Sequence, residues 1–202
     1  MEYFDITVKD YSGRSDNEDP EYAIRGYVIT PKRKGILSGK VTIPNNITVN
    51  GTTLPIIILG NTSGDSGGWE GATKIFFENP ATSEMRGVGD STFNGSLTLT
   101  YFEIPHKLRF IGDTAFNACR LLQVPIFTNA PIYYIGQNAF NAALTSDTID
   151  LNNNIEINIA LGGEVRILKY NSFVNTGNSS HAKAYGSFTI GSKDNPTQLI
   201  AP

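Results

Sequence analysis

The sequence contains one cysteine, Cys119, and two histidines, His106 and His181, in 202 residues. A single thiol excludes an internal disulfide. These three residues show no metal-ligand spacing, so no metal site and no cofactor are expected. Charge is scarce as well. Asp, Glu, Lys and Arg make up 17% of the chain, against ~25% in ordinary soluble domains. Net charge is −3, and the one basic cluster is Lys32-Arg33-Lys34. Phosphate binding needs a concentrated positive face, so nucleic acid is not an expected partner. The longest apolar run, Leu54 to Leu59, is far shorter than the ~20 residues a spanning helix needs, and no membrane insertion is expected. Met1-Glu2-Tyr3-Phe4-Asp5 has no basic n-region and no apolar h-region, so the reading predicts no leader.

What the chain does have is a period. Val88-Gly89-Asp90-Ser91-Thr92-Phe93-Asn94 is followed by Ile111-Gly112-Asp113-Thr114-Ala115-Phe116-Asn117 and by Ile135-Gly136-Gln137-Asn138-Ala139-Phe140-Asn141. Gly89 to Gly112 is 23 residues and Gly112 to Gly136 is 24; Phe93, Phe116 and Phe140 keep the same spacing. A repeat of this length is one unit of a solenoid, too small to bury its own apolar face. A short strand precedes each signature, as in Phe102-Glu103-Ile104, where alternation marks one buried face. The glycine belongs where the backbone turns tightly or packs closely on the neighbouring rung, and the phenylalanine fills the space between rungs.

The run Phe102-Glu103-Ile104-Pro105 … Ile111-Gly112-Asp113-Thr114-Ala115-Phe116-Asn117-Ala118-Cys119 resembles a unit of the BspA-like leucine-rich repeat. Degenerate units are Val41-Thr42-Ile43-Pro44 … Leu59-Gly60, Ile75-Phe76-Phe77 … Val88-Gly89, and a lengthened one from Ile149 to Ser172-Phe173 without the Ile-Gly pair. Phe188-Thr189-Ile190-Gly191 reads as the strand of a sixth. The expected fold is therefore mainly β: a leucine-rich-repeat solenoid of about five to six short β-rungs. Gly60, Gly89, Phe93, Gly112, Phe116, Gly136, Phe140 and Phe173 are its scaffold positions. The resemblance implies scaffold, not site residues.

Residues 1–35 stand outside the period and read as a hairpin cap, leaving 36–202 as the solenoid with an incomplete last rung. Tyr3 to Val8 and Tyr22 to Ile29 are its two strands, with the acidic turn Ser15 to Pro20 between them. That turn lacks the ordered spacing of a calcium loop and reads as solvated. Gly64-Asp65-Ser66-Gly67-Gly68 matches the nucleophile motif of chymotrypsin-like proteases. Both histidines follow Ser66 instead of preceding it, and no helix is expected after it, so a serine hydrolase using Ser66 is the remote alternative to a glycine-rich loop. Trp69 in that loop reads as an interface anchor or as packing over the solenoid edge.

Binding without catalysis is the expected activity. Strand residues flanked by core positions face outward, which selects Thr42, Phe76, Tyr101, Glu103, Gln123 and Asp150. Phe110 and Tyr134 precede successive Ile-Gly pairs and are expected to stack one rung apart. Together with Trp69 these are the candidate binding surface. The resemblance implies two settings: surface adhesins of bacteria or protists, which bind host protein or glycan, and components of bacteriophage particles. The absent leader and the incomplete last rung tilt the expectation toward a virion, with other copies or other particle proteins as partners. The alternative location is the bacterial surface or the extracellular space.

Overall fold

The computed structural model describes residues 2–10, 24–61, 68–122, 130, 132–143 and 167–173, and the backbone of 155–161 and 184–190. Strands and turns account for the regular structure, with no helix among the described residues. Strand β1 (Phe4–Asp10) pairs antiparallel with β2 (Arg25–Pro31), giving the expected hairpin. From β2 onward the array is parallel. The second half of β5 (Thr52–Leu59), then β7 (Gly87–Val88), β9 (Phe110–Ile111), β10 (Tyr134–Ile135) and β12 (Ile167–Leu168), add one strand per rung. A second parallel sheet stacks β3 (Gly39–Ile43), β6 (Ala72–Phe77) and β8 (Tyr101–Phe102). The chain thus forms a leucine-rich-repeat solenoid, whose earlier rungs offer one strand to either sheet.

One local feature departs from the sequence reading. Residues Asn46–Val49 form β4, which pairs antiparallel with the first half of β5. Asn50 and Gly51 turn that hairpin with φ of 49° and 78°, the double left-handed turn that Asn-Gly favours. Further on, β11 (Ile155–Leu161) pairs in parallel with β13 (Ala184–Ile190); the strand expected near Ile149 lies outside the described residues.

Between the sheets the side chains line up along the solenoid axis. Phe93, Phe116, Phe140 and Phe173 stack with centroids 5.0, 5.1 and 5.1 Å apart and planes within 7°. Phe102 from the second sheet meets Phe93 and Phe116 edge-on, at 5.6 and 5.1 Å. Identical residues one rung apart must adopt identical rotamers, so the rings fall into register and offset stacking follows. Val88, Ile111 and Ile135 are fully buried beside them.

Each turn repeats the same backbone. Ser91, Thr114, Asn138 and Asn171, two residues after the glycine position, have φ of 54°, 53°, 54° and 57°. That left-handed step costs a non-glycine residue ~1 kcal/mol or more, and it turns alternate amides toward the next rung. Phe93 N donates to Ala115 O and Phe116 N to Ala139 O, both at 2.7 Å. Side-chain ladders reinforce the turns. Asn141 Nδ2 donates to Asn117 Oδ1, and Asn117 Nδ2 to Asn94 Oδ1, both at 2.9 Å. Asp90 Oδ1 accepts from Asp113 N, and Asp113 Oδ1 from Gln137 N, both at 2.8 Å.

Close approach, not turning, explains the repeated glycine. A Cβ at Gly112 would lie 2.5 Å from Asp90 N and 2.7 Å from Gly89 C. At Gly136 it would lie 2.4 Å from Asp113 N and 2.5 Å from Gly112 C. Backbone atoms cannot swing aside as side chains can. In the last rung Lys169 stands at the corresponding place, with its side chain exposed.

Candidate recognition face

Alternation along β3, β6 and β8 turns Ile43, Ile75, Phe77 and Phe102 inward and leaves Lys40, Thr42, Lys74, Phe76, Tyr101 and Glu103 on the other side. The structure therefore brings the expected Thr42, Phe76, Tyr101 and Glu103 together on one face. Phe76 and Tyr101 meet at 5.2 Å between centroids, with planes tilted by 36°. Lys40 Nζ sits 4.3 Å above the Phe76 ring, within cation–π range. Glu103 Oε2 accepts from Phe77 N at 2.7 Å, so its carboxylate ties β8 to β6. Lys40 and Lys74 are direct partners across β3 and β6. Both were missed in the sequence, although extending the same alternation two residues back selects them.

The opposite sheet presents a different surface. Phe110 and Tyr134 stack at 4.9 Å with planes 17° apart, one rung apart as expected. This pair is committed to the scaffold: Tyr134 OH donates to Asp113 Oδ1 at 3.1 Å. Burial first, then the negative charge of Asp113, pushes the Tyr134 hydroxyl up to about 12. Nearby, Glu84 is gripped by Arg86 at 2.7 Å and by Lys107. Burial is the largest single influence on Glu84 and pushes it up, but the two cations outweigh it and leave the carboxyl below its ordinary range.

Trp69 requires a correction. It is fully buried rather than displayed on a loop, and its Nε1 donates to Gly60 O at 2.9 Å. Its ring lies 5.1 Å from Phe93 and 5.5 Å from Phe4. Trp69 precedes Phe93 by 24 residues, so it is the ladder position of the preceding rung. The period, carried one step back, identifies it as core.

Other candidates resolve as follows. Cys119 is buried, donates to Phe93 O at 3.0 Å and is pushed by burial to about 12, which leaves no thiolate for chemistry. His106 is exposed in a turn, with its backbone N bonded to Pro80 O. Ser66, Gln123, Asp150 and His181 lie outside the described residues. Among the described residues no cluster of His, Cys, Asp and Glu is arranged to hold a metal ion, and no helix is long and apolar enough to cross a membrane. An apolar hollow of about 190 Å³ separates β1 from the first rung, with Tyr3, Phe4, Ile29, Ile43, Ile47 and Ile56 in its wall.

Comparison with known proteins agrees with this architecture. The model of the BspA type leucine-rich repeat region matches residues 74–192 in six copies. A crystal structure of a leucine-rich repeat protein from Bacteroides ovatus superposes with a TM-score of 0.51 at 16% identity, covering 98% of this chain and 39% of that one. The leucine-rich repeat protein of T. pallidum gives 0.52 at 18% identity, covering 95% and 84% respectively. This chain thus spans about two fifths of the first protein and most of the second. No curated protein sequence matches.

Proposed function

The chain belongs to the BspA-type leucine-rich-repeat family, and from that premise we propose that it is a non-catalytic interaction module of a bacteriophage particle. Leucine-rich-repeat domains generally mediate protein–protein contacts, and their family members are generally binding modules rather than enzymes. The observation that carries the reading here is how the side chains are used. Inward residues and turn residues are committed to ladders, whereas the outer face of β3, β6 and β8 keeps aromatic rings and lysines that brace nothing beneath them.

What supports the particle setting is the β1 edge. Among the described residues β1 has no neighbour beyond β2, and Tyr3, just before the strand, and Val8, within it, are exposed. A row of unpaired backbone groups is a template for a strand from another copy or another particle protein. The second reading, a bacterial surface adhesin that works as a monomer, is favoured by the Phe76–Tyr101 face, which is complete within one chain. Molar mass by light scattering over a wide concentration range separates the two. A stable oligomer is expected. A monomer at every concentration refutes the particle setting and leaves the adhesin.

A further inference from the structure

We propose that the outer face of β3, β6 and β8 is a binding site for an extended carboxylated glycan, a chain of uronic-acid units. The inference rests on the reading of this chain as a binding module and names what the module takes.

The first observation is a like-charge pair that no carboxylate among the described residues neutralises, with Lys40 resting only on the Phe76 ring. Lys40 and Lys74 are opposed across neighbouring strands, an arrangement that destabilises a sheet when the charges are alike. Neither lysine has an ion-pair partner among the described residues. Lys34 nearby shows the contrast, since it is held by Glu70 at 2.9 Å. The acid on this face, Glu103, already accepts from Phe77 N. An anion seated between the two ammonium groups removes their repulsion.

The second observation is flat apolar surface beside that charge. The rings of Phe76 and Tyr101 adjoin, 5.2 Å apart; Lys40 covers one face of Phe76, so the open platform is Tyr101, 38% exposed. A pyranose ring lays its C–H face on an aromatic ring and leaves its hydroxyls at the edge, where Thr42 and the Tyr101 hydroxyl stand. The carboxylate of a uronic acid projects from the ring edge, where a neighbouring ammonium meets it in a charge-assisted hydrogen bond. Neighbouring strands lie ~4.8 Å apart, comparable to the advance of one pyranose unit along an extended glycan. A polymer running along the solenoid axis therefore meets a new rung with each sugar.

An acidic peptide fits less well. At the centre of the face the backbone groups of β6 are occupied by strands on both sides, so a peptide lying over the two lysines and the rings cannot bind there as an added strand.

The test is isothermal titration calorimetry of the full chain with oligogalacturonate, with neutral dextran and poly-glutamate as competitors in chemistry. Lys40→Gln/Lys74→Gln and Tyr101→Ala are the informative variants, because these side chains are exposed; Trp69 emission checks that each has folded. Saturable binding of oligogalacturonate is expected, weakened at least tenfold by either variant, with no binding of dextran. Absence of binding, or binding indifferent to both variants, overturns the proposal. Equal binding of poly-glutamate, insensitive to Tyr101→Ala, also overturns it and assigns the lysines to an acidic protein. Failure here beside a stable oligomer leaves the module reading standing. A monomer that binds oligogalacturonate refutes the particle setting alone.

Discussion

Replacing Phe116 tests whether the ring ladder holds the rungs together. Phe116 is 1% exposed and touches three rings: Phe93 at 5.0 Å, Phe140 at 5.1 Å and Phe102 at 5.1 Å. Truncation to alanine removes the buried ring and leaves a cavity, a loss of about 3–5 kcal/mol. Leucine is the sharper probe, because it restores most of the apolar bulk without the ring. Aromatic pairs contribute about 0.5–1.5 kcal/mol each beyond area burial, so three lost pairs put Phe116→Leu at roughly 2–4 kcal/mol. Against a total stability of about 5–15 kcal/mol for a typical domain, either change is large. Trp69, the single tryptophan, is itself in the ladder and reports unfolding through its fluorescence in guanidinium titrations. Phe173 stacks on Phe140 but is only half-buried where Phe116 is 1% exposed; it makes an internal comparison, and its replacement should cost less. If Phe116→Leu falls within 0.5 kcal/mol of the parent, with an unchanged m-value, the rings are filler and stacking does not order the rungs.

Three further outcomes follow from the geometry. Gly112→Ala should cost at least about 2–3 kcal/mol, at the upper end for overpacking, because its Cβ meets backbone of the preceding rung; a melting temperature unchanged from the parent would contradict the close-approach argument. Among the described residues the buried Ser96 hydroxyl has no hydrogen-bond partner, at the repeat position where Cys119 and Ala143 pack without a hydroxyl. Ser96→Ala should therefore stabilise by about 1 kcal/mol, and chemical denaturation that shows a loss would mean the hydroxyl is satisfied in solution. The lowered Glu84 carboxyl adds stability above its unfolded value of 4.5, and that stability is lost as pH falls through the lower folded value. Denaturation at neutral pH and at pH below 4.5 should show a smaller acid loss in Lys107→Met than in the parent; equal losses would remove Lys107 from the cause.

The rungs were legible in the sequence because a period constrains many residues at once. Gly112, Phe116 and Asn117 recur one repeat later as Gly136, Phe140 and Asn141, and each set serves one stacking requirement. The Phe110–Tyr134 pair followed from the same logic. Reading failed where a position kept its role but changed its residue. Trp69 fills the place of a phenylalanine, and next to a glycine-rich run its size fits an interface anchor as well as packing over the solenoid edge, so the ladder position goes unrecognised. The Asn50-Gly51 hairpin was missed for another reason: a repeat template was laid over Val41 to Gly60 and absorbed a turn whose dipeptide is a strong local signal. The recognition face was half legible. Alternation found Phe76 and Tyr101, but strand ends are poorly marked in sequence, so Lys40 and Lys74 were left out.

The glycine contacts also give the array a mechanical character. Rung spacing at Gly112 and Gly136 is set by backbone resting on backbone, so the column has no slack to surrender under compression along its axis. Under tension nothing covalent crosses from rung to rung except the connecting chain, and the stacked rings and amide ladders resist in parallel. Such a body bears load as a stiff post and fails by peeling at an end. Whatever binds its flank is presented on a rigid rail whose spacing does not change with force.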